Sequence, residues 1–512
     1  MTCSLQKAGP LPEAGHQALR AVIAIAVLAL LLPRGLARAQ SSSGDTLEKR
    51  PRYQTVRYLE DWSTLRDAPG RGGPFASVKY VPLGPPLFGA EQEESYLSLG
   101  ADARARSEYF ANARFGAGPP SARRDAFLLQ RYMLHADLHL GAPLRVFGQL
   151  QSSHAIGRTG GPRPTDRDDA GVHQLFVTLA PLAGTGSGSG RLALRAGRQE
   201  IPYGDERLVS LRNGPNVRRS FDALRLIAER GAWRADLVGG RPVEIDVGAF
   251  DNGRVDPEET FWAARVVRSP GKEGAVWGPL GQLDLFYLGQ RRTLPYAQGR
   301  GDETRHTVGL RATSGRTLQP FDVNVEAALQ GGRFDPAGGS GPTGDVRAAF
   351  AALDAGYTAS AWPLAPRLGV SAHAASGDGD PSDPDLQTFA APYPNNRYFS
   401  GIGLYGGFAN LLHVQPVLSL RRGAVRARLG WHVFWRASTQ DAGYGASGRP
   451  LRTGSSNARF LGSQPLALVF YQMSRHVRFK LEATHFIPGA FTEETGPAPG
   501  VDYVGLEVAL TL

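Results

Sequence analysis

Apolar and charged residues alternate along several extended stretches of this sequence, and this pattern limits the folds that the chain can adopt. Between Leu97 and Glu108 the odd-numbered positions are mainly leucine and alanine, whereas the even-numbered positions are mainly charged. Residues 321–330 and 425–436 show the same pattern. Successive side chains of a β-strand point to opposite faces, so each stretch would have one apolar and one charged face. A charged face is unfavourable inside a packed core, which favours strands between lipid and water over the alternative, a soluble β-sandwich or propeller.

Weaker alternation of the same kind recurs along most of the chain after residue 95. The 64 glycines and 37 prolines are spread throughout, which disfavours long helices and favours short strands joined by turns. After residue 40, charged residues, glutamine or glycine interrupt every apolar stretch, so no transmembrane helix is expected. The predicted fold class is all-β, a single large antiparallel transmembrane β-barrel of about 18 strands.

The N-terminus has the features of a secretory signal peptide. An apolar run at residues 21–32 follows Lys7 and Arg20 and precedes the small-x-small sequence Ala37-Arg38-Ala39. The run is shorter than the roughly 20 residues that cross a bilayer, which disfavours the alternative of an uncleaved anchor. The sole cysteine, Cys3, would be removed with the signal, so neither a disulfide nor a thiolate site is expected. We predict a signal peptide at 1–39, a polar N-terminal segment at 40–94 that leads into the barrel, and the barrel domain at 95–512.

Four polar motifs follow one another in a fixed order between residues 195 and 226. They are Gly-Arg-Gln-Glu at 197–200, Tyr-Gly-Asp-Glu-Arg-Leu at 203–208, an asparagine at 216, and Arg-Ser-Phe-Asp-Ala-Leu-Arg-Leu at 219–226. This order resembles the signature of the alginate-export family of bacterial outer-membrane β-barrels. The family-motif residues are Arg198, Gln199, Glu200, Tyr203, Gly204, Asp205, Arg207, Asn216, Arg219, Phe221 and Asp222. Dense mixed charge pairs with itself, which favours a structural network over a binding site for these residues.

Other parts of the chain resemble the same family in the same order. Residues 57–62, 77–83 and 96–110 are similar to its entry segment and first long strand, and residues 376–403 are similar to its Ser-Gly-Asp loop. The resemblance implies a channel in the bacterial outer membrane that exports an anionic polysaccharide of the alginate type. It implies no enzymatic activity, no catalytic residue and no cofactor.

Arginine supplies nearly all the positive charge of this chain, whose formal net charge is +10. Arginine stays charged and can pair with a carboxylate through two hydrogen bonds. The residues predicted on the polar faces of strands, and therefore along the pore, are Arg104, Arg106, Arg131, Arg145, Arg195, Arg426, Arg428, Arg478 and Lys480. A ring of such residues would concentrate anions and repel cations. The alternative is that many of them pair with acidic residues on the same faces and brace the wall.

The arginine pattern and the resemblance together predict a channel for passive diffusion or export of an anionic polysaccharide, which the resemblance implies, or another anionic solute through an arginine-lined pore. A general or differently specific porin is the alternative, and a non-conducting surface β-protein is a third hypothesis. The expected partners are the lipid bilayer and the anionic solute. Nucleic acid is not expected, because an arginine-lined pore already explains the positive charge of the chain. The sequence identifies no partner protein.

Two clusters invite a metal interpretation. The carboxylates Asp378, Asp380, Asp383 and Asp385 lie in one stretch and could hold calcium, but the order of an EF-hand is missing, which favours a solvated loop. His135 and His139 share a strand face around Asp137, but no further ligand aligns with them, which favours a polar lumen wall. We therefore predict no metal site.

Overall fold

The computed structural model describes residues 51–67, 73–86, 94–117, 123–183, 190–253, 259–269, 280–315, 318–339, 341–395 and 397–512. The predicted signal peptide lies outside these residues. Within them, no helix is long and apolar enough to cross a membrane. The helical elements are short: α1 (Ala76–Lys79), α2 (Ala490–Glu494), and single 3₁₀ turns at Arg57–Leu59, Ser63–Leu65 and Ala337–Gly339.

Eighteen strands form one closed antiparallel barrel, which confirms the predicted fold class and excludes a sandwich or propeller. In chain order the strands, including three short ones outside the wall, are β1 (Val81–Gly84), β2 (Ser95–Ala111), β3 (Arg124–His139), β4 (Leu144–Ile156), β5 (Asp168–Ala183), β6 (Arg191–Gln199), β7 (Phe221–Arg230), β8 (Trp233–Pro242), β9 (Thr260–Arg268), β10 (Leu280–Tyr296), β11 (Gly299–Ser314), β12 (Phe321–Pro336), β13 (Gly344–Thr358), β14 (Arg367–Ala375), β15 (Leu411–Arg422), β16 (Val425–Trp435), β17 (Gly443–Tyr444), β18 (Pro450–Arg452), β19 (Phe460–Gln472), β20 (Val477–Pro488) and β21 (Val501–Thr511).

The barrel closes where β21 pairs with β2, with Glu507 opposite Arg106 in the register. β1 pairs with the start of β2, whereas β17 and β18 form a separate hairpin between β16 and β19. Closure leaves no strand edge in the wall, so every strand can bond to two neighbours where lipid offers no hydrogen-bonding partner.

The outer face of the wall is apolar and the inner face is polar, as the alternation predicted. On β2, Leu99 and Tyr109 are exposed on the outside, whereas Arg104, Arg106 and Glu108 are buried on the inside. Four of the exposed aromatic side chains lie near the same end of the barrel; they are Trp233, Phe321, Tyr357 and Trp362. Aromatic residues at this level are typical of the boundary between hydrocarbon and headgroups.

The two ends of the barrel differ in their connections. We call the end with residues 51–67 and Leu512 the turn end, and the opposite end the loop end. The long connections at the loop end include L3 (200–220, the third), L7 (376–410, the seventh) and L8 (436–459, the eighth). In outer-membrane barrels the short turns face the periplasm and the long loops face outward.

Candidate functional site

L3 crosses the lumen instead of standing above it. At one end Arg207 is fully buried and pairs with Glu326 at 2.7 Å and with Asp354, on β12 and β13. At its other end Asn216 accepts a hydrogen bond from Arg104 of β2, on the opposite side of the ring. L3 therefore fills the middle of the barrel, and the motif residues determine how it is held.

Asn216 is the best-connected residue of this crossing. It is fully buried, and its Nδ2 lies 2.9 Å from the carbonyl oxygen of Gln130, 3.0 Å from that of His154 and 2.9 Å from that of Asp166. Its Oδ1 accepts from Arg104 at 3.2 Å. The side-chain amide thus ties L3 to three strands, β2, β3 and β4, and to the neighbouring loop at once.

The other inward motif residues complete the network. Glu200 pairs with Arg218 at 2.7 Å and with His173 at 2.8 Å, and Asp205 pairs with Arg311 at 2.5 Å. Gln199 donates to the Ala223 carbonyl, Gly204 sits with φ of 54° in a turn closed by Tyr203, and Phe221 packs against Tyr393. Arg219 lies over the Tyr393 ring, and burial lowers its pKa to about 10.

Two motif residues have a different location. Arg198 and Asp222 pair across β6 and β7 at 2.8 Å on the outer face, the same face as the exposed Leu194 and Leu224. Arg198 also donates to the carbonyl of Asn252, in the following loop, at 2.7 Å. This pair therefore fixes a loop on the outside of the barrel and contributes nothing to the lumen surface.

L7 folds inward beside L3 and joins it. Val209 and Tyr393 form a parallel bridge, in which the Ser210 amide donates to Tyr393 at 2.9 Å and the Tyr393 amide donates to Leu208 at 2.8 Å. Further along L7, Arg397 pairs with Glu108 of β2 at 2.5 Å. The two loops together divide the lumen into separate cavities.

A cavity of about 380 Å³, here called the turn-end chamber, lies between L3, the N-terminal segment and the wall. It brings together five of the nine predicted pore cations: Arg104, Arg106, Arg131, Arg478 and Lys480. The chamber also contains Arg218, on L3, and Arg475, on a short turn. Sequence reasoning missed these two because neither lies in a strand with alternating faces.

Some of the chamber cations hold L3 through hydrogen bonds, whereas others remain exposed to the cavity. Arg104 donates to the carbonyls of Asn213 and Pro215, both at 2.8 Å, Arg106 donates to that of Gly214 at 2.6 Å, and Arg131 donates to the side chain of Asn213 at 2.7 Å. These three hold L3. Arg478 is 46% exposed and 3.5 Å from Glu507, and Lys480 is 27% exposed and 2.8 Å from Glu482, so both remain open to the chamber.

The other four predicted cations lie elsewhere on the inner wall. Arg145 pairs with Asp137 at 2.6 Å, and Arg195 stacks over Tyr58 of the N-terminal segment at 4.4 Å. Arg426 and Arg428 are exposed on β16, and Arg428 donates to Gln415 at 3.3 Å. The structure thus groups the nine residues by neighbourhood, and the role of each in a pore stays a prediction.

A second cavity of about 600 Å³, the mouth cavity, opens toward the loop end. Its charged lining residues are Arg114, Arg163, Asp166, Arg397, Arg449 and Arg452. Burial and the nearby guanidinium of Arg158 lower the pKa of Arg163 to about 10. Positive charge therefore outweighs negative charge on this side of L3 as well.

Gly214 and Arg397 separate the mouth cavity from the turn-end chamber. A Cβ on Gly214 would fall 2.7 Å from the Cβ of Arg397, so only glycine permits this approach. Arg106 bonds to the Gly214 carbonyl on the chamber side, and Glu108 holds Arg397 in place. We call these four residues the partition.

Three histidines on adjacent strands support L7, and the sequence did not single them out. His373, His413 and His432 form a row with nitrogen separations of 3.0 Å and 2.9 Å, ending on Gln415 at 3.0 Å. Arg428 donates to Oε1 of Gln415, so the NH₂ group of Gln415 points at His432 and donates to it. Each neutral ring then donates to the next one, His432 to His413 and His413 to His373. Phe399 of L7 packs on His413 at 4.4 Å.

The two candidate metal clusters are held by internal bonds. Asp137 receives Arg145 and His139, while His135 is buried beside Phe147. Asp378 accepts hydrogen bonds from the backbone amides of Asp380 and Gln387 at 2.9 and 3.1 Å. The carboxylates of Asp380, Asp383 and Asp385 each accept a hydrogen bond from one backbone amide. Within the described residues, no group of three or more metal-ligating side chains could hold an ion.

Known proteins share this architecture. A BenF-like porin from Pseudomonas fluorescens Pf-5 superposes with a TM-score of 0.51 at 9% identity, over 81% of this chain and 98% of that chain. OpdK from Pseudomonas aeruginosa, solved with vanillate, and OccK2 (OpdF) from the same organism, solved with glucuronate, each give a TM-score of 0.50 at 11% identity over the same shares. At such identities the similarity establishes the fold alone.

The sequence comparison identifies the family. No curated protein matches the chain. The model of the alginate export family matches residues 95–504, which is most of the chain and nearly the whole barrel. The protein therefore belongs to the alginate export family and is a channel of the bacterial outer membrane.

Proposed function

We propose that this protein is a passive outer-membrane channel for anionic solutes that carry carboxylates, an alginate-like polysaccharide among them, and that they follow the arginine-lined interior of the barrel. The observation that carries the proposal is the composition of the turn-end chamber. Seven lysine and arginine residues line it, against the two carboxylates Asp102 and Glu507. Fixed positive charge of this kind raises the local concentration of anions and excludes cations.

The bracing role of the buried arginines is compatible with anion attraction. Arg104, Arg106 and Arg131 hold L3 through backbone carbonyls and an asparagine side chain, which are neutral acceptors. Glu507 lies 3.9 Å from Arg104 and 3.6 Å from Arg106, so one acid serves two guanidiniums. Glu108, Glu200 and Glu482 pair with Arg106, Arg218 and Lys480 from outside the lining, so the seven cations are set against five acids and a smaller positive excess remains, on Arg131 and Arg475.

The arrangement favours transit over retention. Arg478 and Lys480 each have an acidic neighbour, so an arriving carboxylate replaces one partner by another and is not trapped. The mouth cavity supplies a second cationic compartment on the other side of the partition. Several weak sites in series allow an anion to enter and leave without an energy source.

Planar-bilayer recordings of the refolded chain under a salt gradient test this function. The proposal expects a current with anion selectivity that polymannuronate blocks and a neutral polysaccharide of similar length does not. A cation-selective current, or insertion without current, would contradict it.

A second candidate is a porin specific for small anionic solutes, which one observation favours. The partition and the two crossing loops leave cavities of about 380 and 600 Å³ in place of one open tunnel. The structures of OpdK and OccK2 were solved with small anions, vanillate and glucuronate. Permeation by glucuronate together with complete exclusion of polymannuronate would select this candidate.

A further inference from the structure

The N-terminal segment at residues 51–67 lies inside the turn end of the barrel. Its side chains Arg57, Tyr58, Trp62 and Leu65 are between 2 and 3% exposed, although the segment belongs to no wall strand. It separates the turn-end chamber from another cavity of about 500 Å³ lined by Tyr58 and Glu60. The segment therefore occupies the space that a solute would cross.

The segment is a compact unit with its own internal bonds. Glu60 accepts from the Gln54 amide at 2.9 Å and from Trp62 Nε1 at 2.8 Å, and it pairs with Arg57 at 2.9 Å. Tyr53 packs against Trp62 at 5.3 Å. These contacts travel with the segment if it moves.

Arginines of the wall and of L3 hold the segment by donating hydrogen bonds to its backbone carbonyls. Arg475 donates to the Pro51 carbonyl at 2.9 Å, Arg218 donates twice to that of Thr55 at 3.1 Å, and Arg145 donates to that of Tyr58 at 2.7 Å. The segment itself donates from Arg57 to the carbonyl of Leu512 at 2.5 Å, and Arg57 lies 3.5 Å from Asp102 of the wall. The Tyr58 hydroxyl donates to the carbonyl of Glu200 at 2.8 Å. An apolar anchor adds to these bonds: Val56 and Tyr58 pack against Phe147, Phe176 and Leu211.

Two of the guanidiniums near the segment have unused capacity. Within the described residues, the Nη1 atoms of Arg475 and Arg195 are buried without a hydrogen-bond acceptor. Arg475 lies 4.8 Å from the Tyr53 ring, and no ion pair of described residues compensates it. A carboxylate would supply the missing acceptor and the missing negative charge.

We propose that residues 51–67 form a plug that anionic solutes displace. The plug offers neutral carbonyls to arginines that bind carboxylates more strongly, because a hydrogen bond between two charged groups is roughly twice as strong as a bond to a neutral partner. A carboxylate that reaches Arg475 and Arg218 competes with Pro51 and Thr55 and shifts the plug toward its displaced state by that difference in affinity. The plug thus closes the turn end until its own substrate class arrives.

This inference rests on the proposed function, since the displacing ligand is the transported anion. It adds Arg218 and Arg475 to the residues that recognise the solute. It also gives the N-terminal segment a role distinct from that of the wall. This agrees with placing the start of the barrel domain at residue 95.

Thiol labelling measures displacement directly. Val56 is 6% exposed, and the sole native cysteine can be replaced (C3S), so Val56→Cys provides one buried reporter thiol. We expect glucuronate to accelerate its labelling by a maleimide at least about fivefold, the lower end of typical coupling between two sites. Glucose, the matched neutral sugar, should leave the rate unchanged. An equal rate with both sugars would overturn the proposal.

Arg475→Gln separates displacement by anions from a general loosening of the barrel. This variant should lose the response to glucuronate, whereas Arg347→Gln, which removes a positive charge from an exposed side chain outside the chamber, should keep it. Retention of the full response in Arg475→Gln would contradict the assigned role of Arg475. A current without anion selectivity in the unaltered chain would instead refute the proposed function. Failure of the plug and failure of the proposed function are therefore distinguishable.

Single-channel conductance gives an independent test. Tyr58→Ala removes the apolar anchor and should raise the conductance without added anion. Leu59→Ala is the matched control, because Leu59 is the neighbouring residue and is 56% exposed. Equal conductance in both variants would overturn the plug.

Discussion

Replacing Arg478 and Lys480 by glutamine should weaken the anion selectivity of the channel while leaving its architecture intact. Both side chains face the turn-end chamber and are 46% and 27% exposed, and neither holds L3. The double substitution removes two of the seven lysine and arginine residues of the chamber and leaves its two carboxylates, so the net charge of the lining falls from +5 to +3.

The magnitude follows from Coulomb's law in water, which suits these partly exposed groups. An ion in a chamber of this size lies roughly 8 Å from the charged atoms of the wall, where each charge is worth about 0.5 kcal/mol, or about 1 kcal/mol for two. At low salt this lowers the partitioning of a monovalent anion into the chamber about fivefold and raises that of a cation by the same factor, so the ratio of anion to cation permeability falls about 25-fold. At 0.15 M salt the Debye length is also about 8 Å, so screening reduces the factor for each ion to about twofold and the change in the ratio to about fourfold.

The assay is the reversal potential of the refolded variant in a planar bilayer, at low and at physiological salt. Arg347→Gln is the matched control, because it also removes a positive charge but from a side chain that is 72% exposed on the outside of the wall. A selectivity change of equal size in the control, or no dependence on salt, would refute the reasoning.

Further predictions concern the loops and the plug. Asn216→Ala should destabilise the barrel by about 2–3 kcal/mol in urea unfolding, because several buried carbonyls lose their donor. Arg397→Ala should join the two cavities and raise the conductance, and an unchanged conductance would show that the partition is not limiting. EDTA should leave thermal unfolding unchanged, since amides of the same loop already bond to Asp378. Lys79 lies over the Trp62 ring of the plug at 5.0 Å, and burial, followed by Arg57, lowers its pKa from 10.5 to about 8. Plug seating should therefore strengthen as pH rises between these values, and Lys79→Met should abolish that dependence of the current.

The wall was predictable from the sequence because successive residues of a barrel strand face lipid and lumen in turn, and their polarity alternates accordingly. Leu99 and Arg104 lie on opposite faces of β2, as their odd and even positions require. The same alternation placed Arg478 and Lys480 on the inner face, where the chamber contains them.

The interior was not predictable, because loops have no periodicity that reports their direction. Nothing in the spacing of the motif indicated that Asn216 and Arg207 reach opposite walls, or that Arg198 and Asp222 face outward. Arg218 joins the chamber only because L3 folds inward, so its role depends on tertiary structure. Asn216 and Arg207 hold L3 through hydrogen bonds and ion pairs, and the preference for a structural network over a binding site at the motif stays a prediction.

The reversal potential of the unaltered channel under a potassium chloride gradient, followed by addition of polymannuronate, shows whether the lumen selects anions. We expect a potential of the sign set by chloride, and a current that falls when the polyuronate is added but not when a neutral polysaccharide is added. A potential of the sign set by potassium would contradict this expectation.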